Sequence, residues 1–236
     1  YLALGGKSVP LTFEEYLFNS DDSVKRRKYS TAAAEETEVI LNFTAKGVTY
    51  DQTLRLSALL YADIILASSN VAEEKLAVGN MARFIMEACK YSSLEVDEER
   101  INAILAKAGV SDYAAEYKGN GTIKELADYV SSVSYVIYNG SASYKFVLTS
   151  AEFAESISFT INGKEIEFTA NGAELLLDSA KVYDIIDTIT ITVEGKSATY
   201  SMLDNIEANQ GENLLKALYE FGLAAENYRA YLEANS

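Results

Sequence analysis

The chain has 236 residues, of which 49% are hydrophobic and 23% charged, with 35 acidic against 20 basic residues and a net charge of −15. An apolar fraction at the ordinary globular level, with 13 glycines and one proline, excludes a disordered chain or a fibre, and the length suits one large or two small domains. The acidic balance excludes a general nucleic-acid binder and disfavours anionic membrane surfaces, since both demand a basic footprint.

The chain opens on Tyr1-Leu-Ala-Leu-Gly-Gly6, with neither initiator methionine nor signal peptide. It is therefore expected to be a processed piece of something longer. Pro10-Leu-Thr-Phe-Glu-Glu-Tyr-Leu-Phe18 suits a short helix capped by Thr12, with Glu15 three residues on. Asn19 to Ser23 reads as a loop, and Lys25-Arg-Arg-Lys28 as a solvated basic run. Glu38 to Thr44 is a strand, turned by Lys46-Gly47 into Val48-Thr-Tyr50. From Thr53 the period becomes helical through Leu66, and Ser68-Ser-Asn70 breaks it.

A second helix is expected from about Glu73 to Tyr91, with Ala77, Met81, Phe84, Ala88 and Tyr91 facing inward. The two helices form an antiparallel hairpin. Asp97 to Ala108 is a third helix, with Ile101, Ile104, Leu105 and Ala108 inward and Gly109 as its stop. Thr122 is placed to cap a short fourth helix through Tyr129. The next stretch is β. Val133, Tyr135 and Ile137 alternate, Asn139-Gly140 turns, and Tyr144 to Leu148 follows. Ile157 to Ile161 and Glu165 to Phe168 flank Asn162-Gly163, the strongest hairpin signal in the chain. Asn171-Gly172 precedes Leu175 to Leu177. Thr188 to Val193 and Ser197 to Tyr200 flank Glu194-Gly195-Lys196, and a long helix runs from about Gly211 to Leu232.

That last helix repeats the second one. Leu214, Leu218, Phe221, Ala225 and Tyr228 follow Ala77, Met81, Phe84, Ala88 and Tyr91 at a constant offset of 137, and Thr199-Tyr-Ser-Met-Leu203 follows Arg55-Leu-Ser-Ala-Leu59 at 144. The difference falls in the polar loop between paired helices, where insertions cost little. An internal duplication of a β-plus-helix-hairpin unit is expected. The resulting domains are 1–118, strands with a helix hairpin and a third helix, and 119–236, an antiparallel β-sheet module ending in the long helix.

Ser57-Ala-Leu-Leu-Tyr-Ala-Asp-Ile-Ile-Leu66, with Lys75 to Tyr91, resembles a segment of large secreted surface proteins of gut clostridia. There a Ser-Val-x-x-Tyr-Ala helix precedes one with Asn-Tyr-Gly-Ala-Ala-Ala-Gln-x-Tyr-Phe. Ala198 to Ile206 and Leu214 to Tyr228 resemble that segment's C-terminal partner. The chain departs from the pattern where Arg83-Phe-Ile-Met stands for Asn-Tyr-Gly-Ala and Cys89 for Gln. The resemblance implies an extracellular or cell-surface, wall-associated bacterial setting and no established activity.

With no histidine in the chain, His-based acid–base catalysis, Ser-His-Asp and Cys-His pairs and ordinary zinc sites are excluded. Cys89, the one cysteine, lies in an apolar-periodic run and reads as a small buried hydrophobe. Carboxylates gather at Asp21-Asp22, at Glu95-Val-Asp-Glu-Glu99 and at Asp184 with Asp187. They lack the Asp-x-Asp-x-Asp-Gly spacing of a calcium loop, although calcium is the cation acidic loops would take. No catalytic residue, no metal ligand and no cofactor is assigned. The 17 tyrosines are the one enrichment suited to contact surfaces. Because side chains alternate along a strand, Tyr138 beside the Asn139-Gly140 turn is expected to be exposed, with Tyr144 across from it as a ligand-binding pair.

The expected fold is α+β, with antiparallel sandwich-like sheets and packed helix hairpins. The expected function is a non-catalytic, structural, adhesive or ligand-binding module. Its partners would be cell-surface proteins or glycans, with no nucleic acid and no membrane insertion. The alternative is a carbohydrate-binding module or a carboxylate-dependent glycoside hydrolase accessory domain.

Overall fold

The computed structural model describes residues 2–4, 7–9, 37–45, 48–138, 141–177, 184–209 and 211–236, with side chains from 57 onward apart from 137, 138, 141 and 142. The helix expected at Pro10–Phe18, the Lys25–Lys28 run, Asp21-Asp22 and the turns at Lys46-Gly47 and Asn139-Gly140 lie outside these residues.

The chain divides into two compact units, Tyr1–Val110 and Ser111–Ser236. Both are α+β, and every described strand pairing is antiparallel. The first unit carries a sheet in the order β2-β1-β3-β4, from β1 (Leu2–Leu4), β2 (Lys7–Val9), β3 (Thr37–Ala45) and β4 (Val48–Leu56). β4 runs six residues beyond Tyr50, through the stretch expected to turn helical at Thr53. The reason is the β3–β4 register, which pairs Thr37 with Leu56 and Ala45 with Val48, so all nine residues of each strand face a partner on the other.

Helix α1 (Ala58–Ser68) starts only after Ser57, whose hydroxyl accepts the Leu60 amide at 3.0 Å. Glu73 and Glu74 open α2 (Ala72–Tyr91) and Lys90 closes it, charges that suit the helix dipole. Asp97 caps α3 (Glu98–Ala108), and Gly109 ends it at φ 72°, a left-handed conformation that glycine adopts at little cost. The three helices bury Leu59, Ala62, Val78, Ala82, Ile85, Met86, Cys89, Ile101 and Ile104 together. The stripe expected on α2 is rotated: Met81 and Phe84 are only half-buried, and Tyr91 is 71% exposed. The apolar arc of α2 is wide enough for either phase, and the positions of α1 and α3 choose between them.

The second unit is a sandwich. One sheet has the order β5-β6-β10-β9 and the other β12-β11-β7-β8. The first comprises β5 (Val130–Tyr138), β6 (Ser141–Leu148), β9 (Phe168–Asn171) and β10 (Glu174–Leu177), and the second β7 (Ile157–Ile161), β8 (Lys164–Glu165), β11 (Ile189–Val193) and β12 (Lys196–Tyr200). Phe146 of one sheet meets Phe159 of the other at 4.7 Å, both fully buried. Asn162 and Gly163 take φ 52° and 76°, and Glu194 and Gly195 take 49° and 74°, the paired left-handed values that a two-residue hairpin turn needs. The strand expected over Glu165–Phe168 is divided. β8 stops at Glu165, and the chain crosses to the other sheet so that Phe168 packs on Phe159 at 5.5 Å.

The expected Thr122–Tyr129 helix is a 3-10 turn over Ile123–Leu126. Thr122 does not cap it, because its hydroxyl accepts the Thr199 amide at 3.1 Å and so ties the turn to β12. Helices α4 (Met202–Ala208) and α5 (Asn213–Ala234) close the chain. The element order β3-β4-α1-α2 thus recurs as β11-β12-α4-α5, with Ser57 and Ser201 both at the N-cap of the helix that follows the hairpin.

Candidate functional site

In the second unit the carboxylates of α4 and α5 hold a strap of backbone, residues 113–121. The Asp204 side chain lies at N3 of α4, in a capping box with Ser201. Its Oδ2 accepts both the amide and the hydroxyl of Ser201, each at 2.7 Å, while Oδ1 accepts the Gly121 amide at 2.6 Å. Glu207 accepts the Gly119 amide at 3.0 Å, and Glu220 accepts the Tyr117 hydroxyl at 2.7 Å. These bonds explain why the second unit begins at Ser111 rather than after 118: the strap is fastened to α4 and α5. Glycine is required in it, because a Cβ at 119 would lie 2.6 Å from Asp204 Cα and one at 121 would lie 2.5 Å from its Oδ2. The Ser201-x-x-Asp204 spacing signals the cap in the sequence. Nothing local signals the partners on the strap.

In the first unit a shallow groove of about 580 Å³ lies at the α2–α3 loop, lined by Leu59, Lys90, Leu94, Val96 and Arg100 together with Glu95, Asp97 and Glu98 of the acidic run. The chain's own charges engage one another here. Lys90 pairs with Glu98 at 3.1 Å, Arg100 grips Asp63 through Nη2 at 2.9 Å and Nε at 3.2 Å, and Asp97 accepts the Arg100 amide at 2.9 Å. Leu94 stands half exposed at the rim.

The tyrosine pair is not brought together. Tyr138 pairs with Ser141, and Tyr144 pairs with Tyr135. That register turns Tyr144 inward, where it is 4% exposed with its ring 4.1 Å from Tyr135 and 6.0 Å from Tyr200. The Tyr138 side chain lies outside the described residues. The expectation of an exposed Tyr144 is therefore corrected: its ring belongs to the core, and its hydroxyl is buried with no hydrogen-bond partner. Tyr135 reaches across to donate to the Ile185 carbonyl at 3.2 Å.

Burial, reinforced by the neighbouring phenols, pushes Tyr135 well above its ordinary pKa. Burial also raises Tyr144, and burial and then the Asp204 charge push Tyr200 up to about 12. The unfolded chain ionises these phenols near pH 10, whereas the folded unit keeps them neutral. The stability they carry is complete below pH 10 and is lost as pH rises toward 12, at about 1.4 kcal/mol per pH unit for each withheld proton. Phenolate absorbance should accordingly show a class of tyrosines that ionises only as the sandwich unfolds. A single smooth titration of all tyrosines near pH 10, with native circular dichroism retained, would contradict the burial.

Among the described carboxyls, Asp187 and Glu226 are shifted in opposite directions. Burial, then the charges of Asp184 and Glu226, raise the pKa of Asp187, against a hydrogen bond at 3.1 Å from Asn162 and the attraction of Arg229. Glu226 itself is lowered by its bonds from Arg229 at 2.6 and 2.7 Å. Among the described residues no three Asp, Glu or Cys side chains gather so as to hold a metal ion, and no helix is long and apolar enough to cross a membrane. Cys89 is buried on α2. Neither a scan against protein-family models nor a search of curated proteins finds a match for this chain.

Proposed function

We propose that the chain is a non-catalytic module of an extracellular or cell-surface bacterial protein, serving as a spacer, adhesive element or ligand-binding domain. One observation carries this reading: at the strap and the groove, six carboxylates hold the chain's own amides, hydroxyls and cations. Asp97 and Asp204 cap helices, Glu207 and Glu220 fasten the strap, and Asp63 and Glu98 are ion-paired. A glycosidase instead needs two carboxyls aimed across an open cleft, roughly 5 to 9.5 Å apart. The resemblance to clostridial surface modules supplies the setting, and the recurring hairpin-plus-helix order supports two copies of one unit. Such a module works without a cofactor, and its partners are cell-surface proteins or glycans. Screening the chain against glycan and peptide substrates tests the reading, and turnover that falls on Asp or Glu substitution would end it.

Asp187 favours the second reading, a carbohydrate-binding or carboxylate-dependent hydrolase accessory domain, since a raised carboxyl beside another is what a general acid requires. The structural consequence can be measured first. A carboxyl whose folded pKa is raised contributes stability that is complete below its unfolded value near 4 and is lost as pH rises through the folded one. Asp187→Asn should therefore raise the melting temperature at pH 7 and leave it unchanged near pH 3. An equal shift at both values would mean that the charge is not the cause.

A further inference from the structure

The two sheets of the second unit end on β5, β8, β9 and β12. Three of these edges are short or covered. β8 is two exposed charged residues and β9 is four residues long. β12 is met by Thr122, whose amide donates to the Thr199 carbonyl at 2.9 Å and whose hydroxyl accepts the Thr199 amide. β5 differs. It has nine residues, Val-Ser-Ser-Val-Ser-Tyr-Val-Ile-Tyr, with no charge and no proline in a chain that is 23% charged. Among the described residues its strand pairing is with β6 alone. Natural sheets guard such an edge with charges, proline, bulges or a cover. Among the described strand pairings the guard on β5 is one bulge between Val130 and Ser132, and beyond it the register is regular.

We infer that the β5 edge is a docking edge for a second copy of this chain, whose own β5 adds antiparallel to it and joins two four-stranded sheets into one. The sequence of β5 suits itself. Centring the pair on Ser134 sets Ser132 opposite Val136 and Val133 opposite Tyr135, and alternation keeps inner face beside inner face. Val133 and Tyr135 are half-buried at the margin of the sandwich core, and a β-branched residue opposite an aromatic one is a favourable cross-strand pair. The line of contact carries no charge, so two copies with a net charge of −15 each meet where like charges do not oppose. A basic peptide would find nothing on this strand to pair with. The contact is two-fold and self-complementary, so it closes as a dimer and does not propagate. One strand pair is small beside a standard interface of about 1,600 Å², which predicts a weak dimer, with a dissociation constant on the order of 100 µM.

Sedimentation equilibrium of the full chain from about 5 to about 500 µM tests this. The mass should rise from 25.9 kDa toward twice that value. Ser134 is exposed and lies opposite Lys145 within its own sheet, so Ser134→Glu suits the folded monomer while setting two carboxylates face to face in the dimer. It should weaken association at least about tenfold. Ser134→Cys places two thiols on the two-fold axis at a Cα separation of about 4.5–5.5 Å, inside the disulfide range, so mild oxidation should lock the dimer. Cysteine at exposed Ser156, away from the edge, should not. A mass of 25.9 kDa at every concentration, a dimer indifferent to Ser134→Glu, or equal cross-linking at the two positions would each overturn the inference.

Discussion

Phe146→Ala is expected to cost the second unit about 4 kcal/mol, the usual price of removing a fully buried aromatic ring. The ring has no exposed surface, meets Phe159 of the facing sheet at 4.7 Å, and lies 6.2 Å from Tyr144 and 6.4 Å from Tyr200. Neither sheet can close the void alone, because each is held by its own ladder of hydrogen bonds. Against a typical domain stability of about 5–15 kcal/mol, the loss is a large fraction. Urea unfolding should show the midpoint falling with little change in slope. Tyr144→Phe is the matched control. It removes a buried hydroxyl without a partner, so stability should stay level or rise by up to about 1 kcal/mol. A loss below about 1 kcal/mol for Phe146→Ala would show that the sandwich core does not carry the unit.

Local signals in the sequence mark the elements well and their partners poorly. Asn162-Gly163 and Glu194-Gly195 announce their hairpins because a tight turn restricts backbone angles to values that few residues adopt. Asp97 and Gly109 bracket α3 for a similarly local reason. What failed depended on neighbours distant in the chain. β4 continues to Leu56 because β3 pairs it residue by residue, although the run after Thr53 also fits a helical period. Phe168 leaves its hairpin because the core under Phe159 lies in the other sheet. Tyr91 is exposed because α1 and α3 fix the phase of α2.

The candidate site follows the same rule only in part. Parity along β5 is a local matter, but which tyrosine faces Tyr144 is a matter of register. The ladder pairs Tyr138 with Ser141 and Tyr135 with Tyr144, the register that two residues between the strands require. Counting back from 139 and 140 already gives Tyr144 to Tyr135 and not to Tyr138. Glu207 and Glu220 were invisible as strap ligands because their partners lie 88 and 103 residues away. The acidic residues that the sequence made conspicuous, Asp97 and Glu98, are a helix cap and half of an ion pair.

Asp204→Ala is expected to destabilise the second unit by about 3 kcal/mol. One carboxylate serves the Ser201 amide and hydroxyl and the Gly121 amide. Charge-assisted bonds are worth about 1.5–3 kcal/mol each, though not additively, and a lost cap costs about 1 kcal/mol. The two glycines separate the clamp from the general packing of the strap. Gly121→Ala would push its methyl into the Asp204 carboxylate, so its cost, about 2 kcal/mol, should largely vanish in an Asp204→Ala background. Gly119→Ala would meet Asp204 Cα, part of the helix backbone, so its cost should persist there. Gly211→Ala is the neutral comparison, since a Cβ at that position meets nothing within 4 Å, and it should change stability by less than about 0.5 kcal/mol. Thermal melts of the four single variants and the two double variants decide the matter. Additive losses for Asp204→Ala and Gly121→Ala would mean that the strap is held elsewhere and that Asp204 acts on α4 alone.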